Sequence, residues 1–219
     1  MAVGSWYHCY NRGVDKRAIF DSDKDYGRFM LQLFISNGNK NIKVSDLPDE
    51  DFETLVSLYD QKRGEPLVEI GAYALMPNHV HFLVREIVTH GTALFMQKVF
   101  TGYTMYFNNK NKRTGALFAG SFKSKHIEDD RYLKQVLPYI LLNPIELFEP
   151  RWKSGHHVTP SSFLRVSKYP YSSMADFTQD GATSPITTTD WTEYYDSVPT
   201  FAQMLTDAQA YYNEHQPQV

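Results

Sequence analysis

An α+β fold, with a ferredoxin-like (RRM-like) antiparallel sheet and two packed helices, is predicted by three observations. Apolar runs and helical spacings alternate in the order strand, helix, strand, strand, helix, strand. Two long stretches repeat apolar residues at helical intervals, and one apolar run is broken by a Pro-containing turn. The first strand falls near Ser5 to Arg12, rich in Trp6, Tyr7 and Tyr10, and a loop follows at Gly13 to Lys16. Asp21 or Ser22 can cap a helix in which Tyr26, Phe29, Met30, Leu33 and Phe34 recur until Ser36-Asn37-Gly38 stops it. Asn39 to Pro66 is polar and holds a short helical pattern at Asp51 to Tyr59, so about 38–66 reads as an inserted excursion rather than core.

The core resumes with strands at Leu67 to Leu75 and Asn78 to Val84 around Met76-Pro77. A second long helix spans Thr92 to Asn108 through Leu94, Phe95, Val99, Tyr103 and Tyr106. Beyond a basic turn at Asn109 to Gly115, Phe118 to Ile127 reads as a strand. Glu128-Asp129-Asp130 then supplies the acidic helix start that the macrodipole favours. That further helix carries Tyr139. The division expected is a main domain over 1–150 and a C-terminal extension over 151–219, irregular except for the turn at Tyr169 to Ser173 and a last helical pattern at Thr200 to Glu214.

The 219 residues are 42% hydrophobic, 15% aromatic and 21% charged, a globular composition with no run approaching a membrane span. The N-terminus has neither a basic start nor an apolar stretch, and Cys9, the only cysteine, can form no internal disulfide. A reducing, cytoplasmic setting is expected. Net charge is −3, which argues against coating nucleic acid through bulk electrostatics, but the charge is unevenly spread. Residues 1–153 carry about +2 and residues 154–219 about −5. No acidic residue lies between Glu86 and Glu128, where Lys98, Lys110, Lys112, Arg113, Lys123 and Lys125 are interleaved with aromatics. Such a window suits phosphate contacts and base stacking on single-stranded nucleic acid; equally, its aromatics can pack a core and its lysines a solvated face. An acidic tail lying across it could compete with DNA, which truncation after about Ser173 would test.

The most informative string is Leu75-Met76-Pro77-Asn78-His79-Val80-His81. Side chains at i and i+2 of a strand share a face, so His79 and His81 are set to hold one divalent ion, or else are two histidines satisfied by hydrogen bonds. On the later helix, Tyr139 and Asn143 are four apart and would share a face, while Leu133, Val136, Leu137 and Ile140 turn to the core. Pro138 must begin a new segment or kink the helix there, and Pro144 ends it. Alone, this is also what an amphipathic core helix with a buried tyrosine ring looks like.

Together, the His-hydrophobe-His string, the Tyr139 to Pro144 motif and the strand-helix order between them resemble the HUH single-strand endonucleases with one tyrosine. More narrowly they are similar to REP-associated tyrosine transposases and their insertion-sequence relatives. The resemblance covers Ser5 to about Asn37 and Leu67 to about Ser173, and includes Tyr7-His8, Asn11-Arg12-Gly13 and Thr114 to Phe118. It implies metal-assisted transesterification on single-stranded DNA, usually beside a hairpin, with Tyr139 as nucleophile and a 5′-phosphotyrosine intermediate. It further implies Mg²⁺ or Mn²⁺ held by His79, His81 and Asn143. Insertion-sequence relatives often have Gln where Asn143 stands, and an often polar or basic position is Pro138 here. Arg12, Lys123 and Lys125, with Lys110, Lys112 and Arg113 of the basic window, are the candidate DNA contacts. His8 and His126 are given no metal role. A monomer associated with the nucleoid is favoured, a homodimer being the alternative. Two other readings stay open: a domesticated DNA-binding regulator of the same fold, and a metal-dependent nuclease in which water attacks.

Overall fold

The structure, a computed structural model, describes residues 1–156, 158–178, 184–187 and 194–215. Its sheet has four strands: β1 (Trp6–Arg12), β2 (Val68–Met76), β3 (His79–Glu86) and β4 (Lys123–His126). They lie in the order β2-β3-β1-β4, every pair antiparallel, with helices crossing between β1 and β2 and between β3 and β4. The ferredoxin-like topology expected from the sequence is the one observed.

The crossover helices are α1 (Asp23–Ser36) and α3 (Gly91–Lys110). Ser22 is the N-cap of α1, but its side chain does not cap the helix; it donates instead to Asp25 Oδ2 (3.3 Å), which also accepts from Asp21 N–H (2.9 Å). The two helices approach closely at Gly102, where a Cβ would stand 2.7 Å from the Gln32 amide. Phe29, Leu33, Phe95, Val99 and Tyr103 pack with Cys9, Val80, Phe82 and Val84 in a first core on this face of the sheet.

The 38–66 segment is tied to that core more firmly than an excursion requires. Asn37 joins its two ends, donating to Val68 O (2.9 Å) and accepting from Leu67 and Val68 N–H (3.0 Å each). Val44 and Leu55, the latter on α2 (Phe52–Tyr59), are buried in the same cluster. Lys98 braces the loop through Gly38 O and Lys40 O (3.0 Å). A polar sequence hides this because the anchoring apolar side chains are scattered through it: Val44 and Leu55 are buried, and Ile42, Leu47, Phe52, Val56 and Tyr59 pack against the same cluster.

The opposite face of the sheet is covered as well, by α4 (Asp130–Leu141) and α7 (Phe201–His215), which pack against each other. Between them the chain forms the short helices α5 (Pro160–Ser167) and α6 (Met174–Thr178), two regular segments where the sequence reads as irregular. A bulge between Ile70 and Ala72 shifts β2 by one residue, so that Ile70 faces the first core while Ala72 and Ala74 face the second. Trp6, Leu83, Leu137, Ile140, Trp152, Met204 and Tyr211 complete that second core. Thus α7 is structural: Tyr211 and His215 pack on the Tyr132 ring that faces Lys125, so α7 meets the β4 end of the basic window as part of the second core, and truncation at Ser173 would first remove core side chains.

β4 is four residues, shorter than Phe118 to Ile127 as expected. Gly120 adopts a left-handed φ of 95°, which breaks the extended run, and Phe118 keeps only an isolated bridge to Gly13. Asp129 caps α4 by accepting from Tyr132 N–H (2.7 Å), as its acidic start suggests. The helix continues through Pro138 instead of restarting there. No helix among the described residues is long and apolar enough to cross a membrane.

Candidate functional site

Strand alternation places His79 and His81 of β3, His8 and Tyr10 of β1, and their β4 partners Lys125 and Lys123 on the face covered by α4. His79 is 5% exposed, and His8, His81, Tyr139 and Asn143 are all 0% exposed. The Tyr139 ring lies edge-on to His81, with centroids 5.5 Å apart, and edge-on to His8 at 6.0 Å. Asn143 is not on the same helix as Tyr139: α4 ends at Leu141 and Asn143 opens the 3-10 turn Asn143–Leu147. The amide still reaches the site, its Oδ1 standing 3.3 Å from His79 Nε2.

The hydrogen bonds sort the ring nitrogens. His79 Nδ1–H donates to Asn78 Oδ1 (2.6 Å), leaving Nε2 with a lone pair directed at Asn143 Oδ1. With this tautomer and amide orientation, a cation beside the two facing acceptors would reconcile them. His81 Nδ1 meets His8 Nε2 (2.8 Å), and His8 Nδ1 meets the Tyr211 hydroxyl of α7 (2.6 Å). His81 Nε2 is buried without a partner, as are the Tyr139 hydroxyl and Asn143 Nδ2. With the His81 proton on Nδ1, the chain reads His81 to His8 to Tyr211, and Nε2 is free for a ligand.

The residues therefore fit a divalent ion: His79 Nε2, His81 Nε2 and Asn143 Oδ1 would hold it. No cluster of three His, Cys, Asp or Glu that could hold a metal ion occurs among the described residues.

Burial dominates the electrostatics. It pushes the Tyr139 phenol well above its ordinary value, offset in part by the Asn143 side chain beside it. It pushes His8 down to about 3, with Lys125 and His215 adding to the effect, and His79 and His81 are also lowered by burial first. A histidine held neutral in the fold but free to protonate when unfolded makes stability fall as pH drops through the unfolded value of about 6.5. Each of the three should forfeit about 2 kcal/mol near pH 5. Urea unfolding at about pH 7.5 and about pH 5 measures this in the metal-free protein; equal midpoints would contradict the buried, neutral assignment.

Residues 42–143 match the family described as "Transposase IS200 like". This segment, just under half of the chain, contains the histidine pair and Tyr139 and ends on Asn143. It supports the HUH transposase assignment drawn from the motifs, and a DNA transposase role. Among solved structures, one described as "Structure of the REP associates tyrosine transposase bound to a REP hairpin" aligns with a TM-score of 0.48 and 13% identity, covering 87% of this chain and 88% of that one. Comparison with curated proteins finds no significant match.

The candidate DNA contacts of this transposase-like chain separate into two groups. Arg12 pairs in register with His79, and Lys123 and Lys125 are on the Tyr139 face, their ammonium groups 6.0 Å and 5.5 Å from the Tyr10 and Tyr132 rings. Lys110 is engaged on the other face, donating to both Asp25 oxygens at 2.7 Å across α1 and α3. Arg113 closes the turn after α3 through Asn108 Oδ1 (2.6 Å) and Ala116 O (2.9 Å), and Lys112 beside it is exposed. The structure thus does not bring Lys110, Lys112 and Arg113 to the site, because a basic run in sequence straddles a turn between the faces. His126 packs beside Tyr7, away from the face that carries His79 and His81. Sequence reasoning missed Tyr211, Lys153 and Glu146, which lie outside any motif; for His8 the adjacent Tyr7-His8 string was a signal, without a role attached.

Proposed function

We propose that this protein cuts and rejoins single-stranded DNA by transesterification through Tyr139, with His79, His81 and Asn143 holding a divalent ion. The observation that carries the reading is the convergence of His79 Nε2, Asn143 Oδ1 and an unpartnered His81 Nε2 beside an unpartnered Tyr139 hydroxyl. When bound, the ion withdraws charge from a non-bridging phosphate oxygen. Two imidazoles and an amide favour Mn²⁺ over the harder Mg²⁺.

In the reaction the Tyr139 oxygen bonds to phosphorus while the bond from phosphorus to the 3′-oxygen breaks. The phenolic proton lost is balanced by the proton the departing 3′-oxygen gains. The product is a 5′-phosphotyrosine and a free 3′-OH, and because the ester bond is conserved, another 3′-OH can reverse the step. Arg12, Lys123 and Lys125 on the same face suit the flanking phosphates. Hairpin-associated sites are the expected targets, on the strength of the motif resemblance.

Single-stranded oligonucleotides from the DNA flanking the gene, with Mn²⁺, are expected to yield a protein-DNA species stable to SDS that Tyr139→Phe cannot form. Cleavage without such a species, undiminished in the Phe variant, would replace this reading with attack by water; binding without cleavage would favour a regulator. Metal binding has its own readout. Mn²⁺ at about a hundred times its Kd should stabilise the fold by about 2.7 kcal/mol, reversibly with EDTA, and His81→Ala should abolish the shift. A His81→Ala protein stabilised as much as the wild type would remove His81 from the ligand set.

A further inference from the structure

Lys153 is a lysine whose side chain is only 12% exposed, and the transesterification described above leaves it without a role. It stands in the short 3-10 turn Trp152–Ser154, beside the wall of the site formed by α4 and α7. Its Nζ donates to Glu146 Oε2 (2.6 Å) and lies 5.3 Å from the centre of the Tyr139 ring. The rings of Trp152 (5.9 Å) and Tyr212 (6.0 Å) complete an aromatic enclosure around the ammonium group. Its charge also acts on His79 and His81, which places it within electrostatic reach of the ligand cluster as well as of the nucleophile.

Enclosing an ammonium group in this way is costly unless it is paired. A surface position a few ångströms away would keep the same ion pair at lower cost. The chemistry at Tyr139 supplies a reason for the burial. Attack turns a neutral phenol into a group carrying negative charge, in a site where burial first, and the Glu146 carboxylate after it, oppose that charge, so the ammonium must outweigh its own partner. A fixed cation against the ring acts most strongly where water is excluded, and needs no reorganisation when the charge develops. Glu146 holds the ammonium in place, since its carboxylate is 37% exposed and anchors the lysine from the solvent side.

We propose that Lys153, held by Glu146, is a positioning residue that stabilises the negative charge developing on Tyr139 during DNA cleavage. It transfers no atom; it acts through the nucleophile. The proposal rests on Tyr139 being the nucleophile.

The test uses the full chain with Mn²⁺ and a cleavable single-stranded oligonucleotide, comparing wild type with Lys153→Met and Lys153→Arg. Three quantities are read: the single-turnover rate of SDS-stable adduct formation at saturating DNA, oligonucleotide affinity, and Mn²⁺ affinity by EPR. Lys153→Met is expected to slow adduct formation by about 10- to 100-fold, with both affinities within about threefold of wild type. Lys153→Arg should recover most of the rate, because it restores the charge over the ring. Adduct formation by Lys153→Met within twofold of wild type overturns the proposal. So does a loss confined to DNA or Mn²⁺ affinity, or an equal rate loss in both variants, which would mark a packing role. A wild type that forms no adduct would instead refute the nucleophile itself.

Discussion

Replacing Tyr139 by phenylalanine should abolish the covalent protein-DNA species and, at the same time, leave the fold as stable as before or slightly more so. The first half follows from chemistry: phenylalanine offers no oxygen to bond phosphorus, and the loss should exceed about 10³-fold. The second follows from the state of the hydroxyl, which is fully buried and has no hydrogen-bond partner. Removing an unsatisfied polar group recovers its desolvation cost, typically about 1 kcal/mol, while the ring and its contacts with Tyr211 and Trp152 remain. A hydroxyl kept in spite of that cost is characteristic of a working group. Adduct assays and chemical denaturation of the same two proteins decide both halves. A Phe variant that lost more than about 1 kcal/mol would mean that the hydroxyl has a structural partner.

Tyr211→Ala should be the most damaging single change to stability on the Tyr139 side of the sheet, at about 3–5 kcal/mol. The residue is completely buried; its ring lies 4.7 Å from Tyr139, 5.6 Å from Tyr132 and 4.9 Å from His215, and its hydroxyl bonds His8. In a chain of this length such a loss corresponds to a fall of roughly 6–20 °C in Tm. Tyr211→Phe keeps the ring and gives up only the bond to His8, so about 1–2 kcal/mol is expected. The difference between the two variants separates packing from hydrogen bonding. If Tyr211→Ala melted within about 3 °C of wild type, α7 would not be the cover that the geometry describes.

The order and approximate bounds of β1, α1, β2, β3, α3 and α4 were legible in the sequence because each carries a periodic apolar pattern bounded by a Gly, Pro or Asp signal. The pairing of His79 with His81 was legible for the same reason, since strand alternation is local. What lay beyond reach was the second layer. Nothing local announces that α7 folds back onto α4, and its moderate amphipathicity is shared with many exposed helices. His8 could be placed on β1 but not joined to His81, because the register of β1 on β3 is decided by the whole sheet. Lys110 looked like its neighbours in the basic window, yet its partner Asp25 lies 85 residues earlier. Charge patterns in sequence locate cations; only packing shows which of them are already engaged.

The bond between His8 and Tyr211 closes a loop spanning 203 positions, nearly the whole chain as given. Synthesis from the N-terminus therefore delivers the sheet with its histidines first, the tyrosine helix next, and the cover last. Until α7 has emerged, the ring of Tyr139 lacks its stacking partner and the His8 imidazole lacks the hydroxyl that fixes its orientation. Order of emergence thus becomes order of assembly. A chain from which α7 has not yet emerged would carry Tyr139 and the histidines without the setting that holds them, and the finished site belongs only to a chain that has grown past Tyr211.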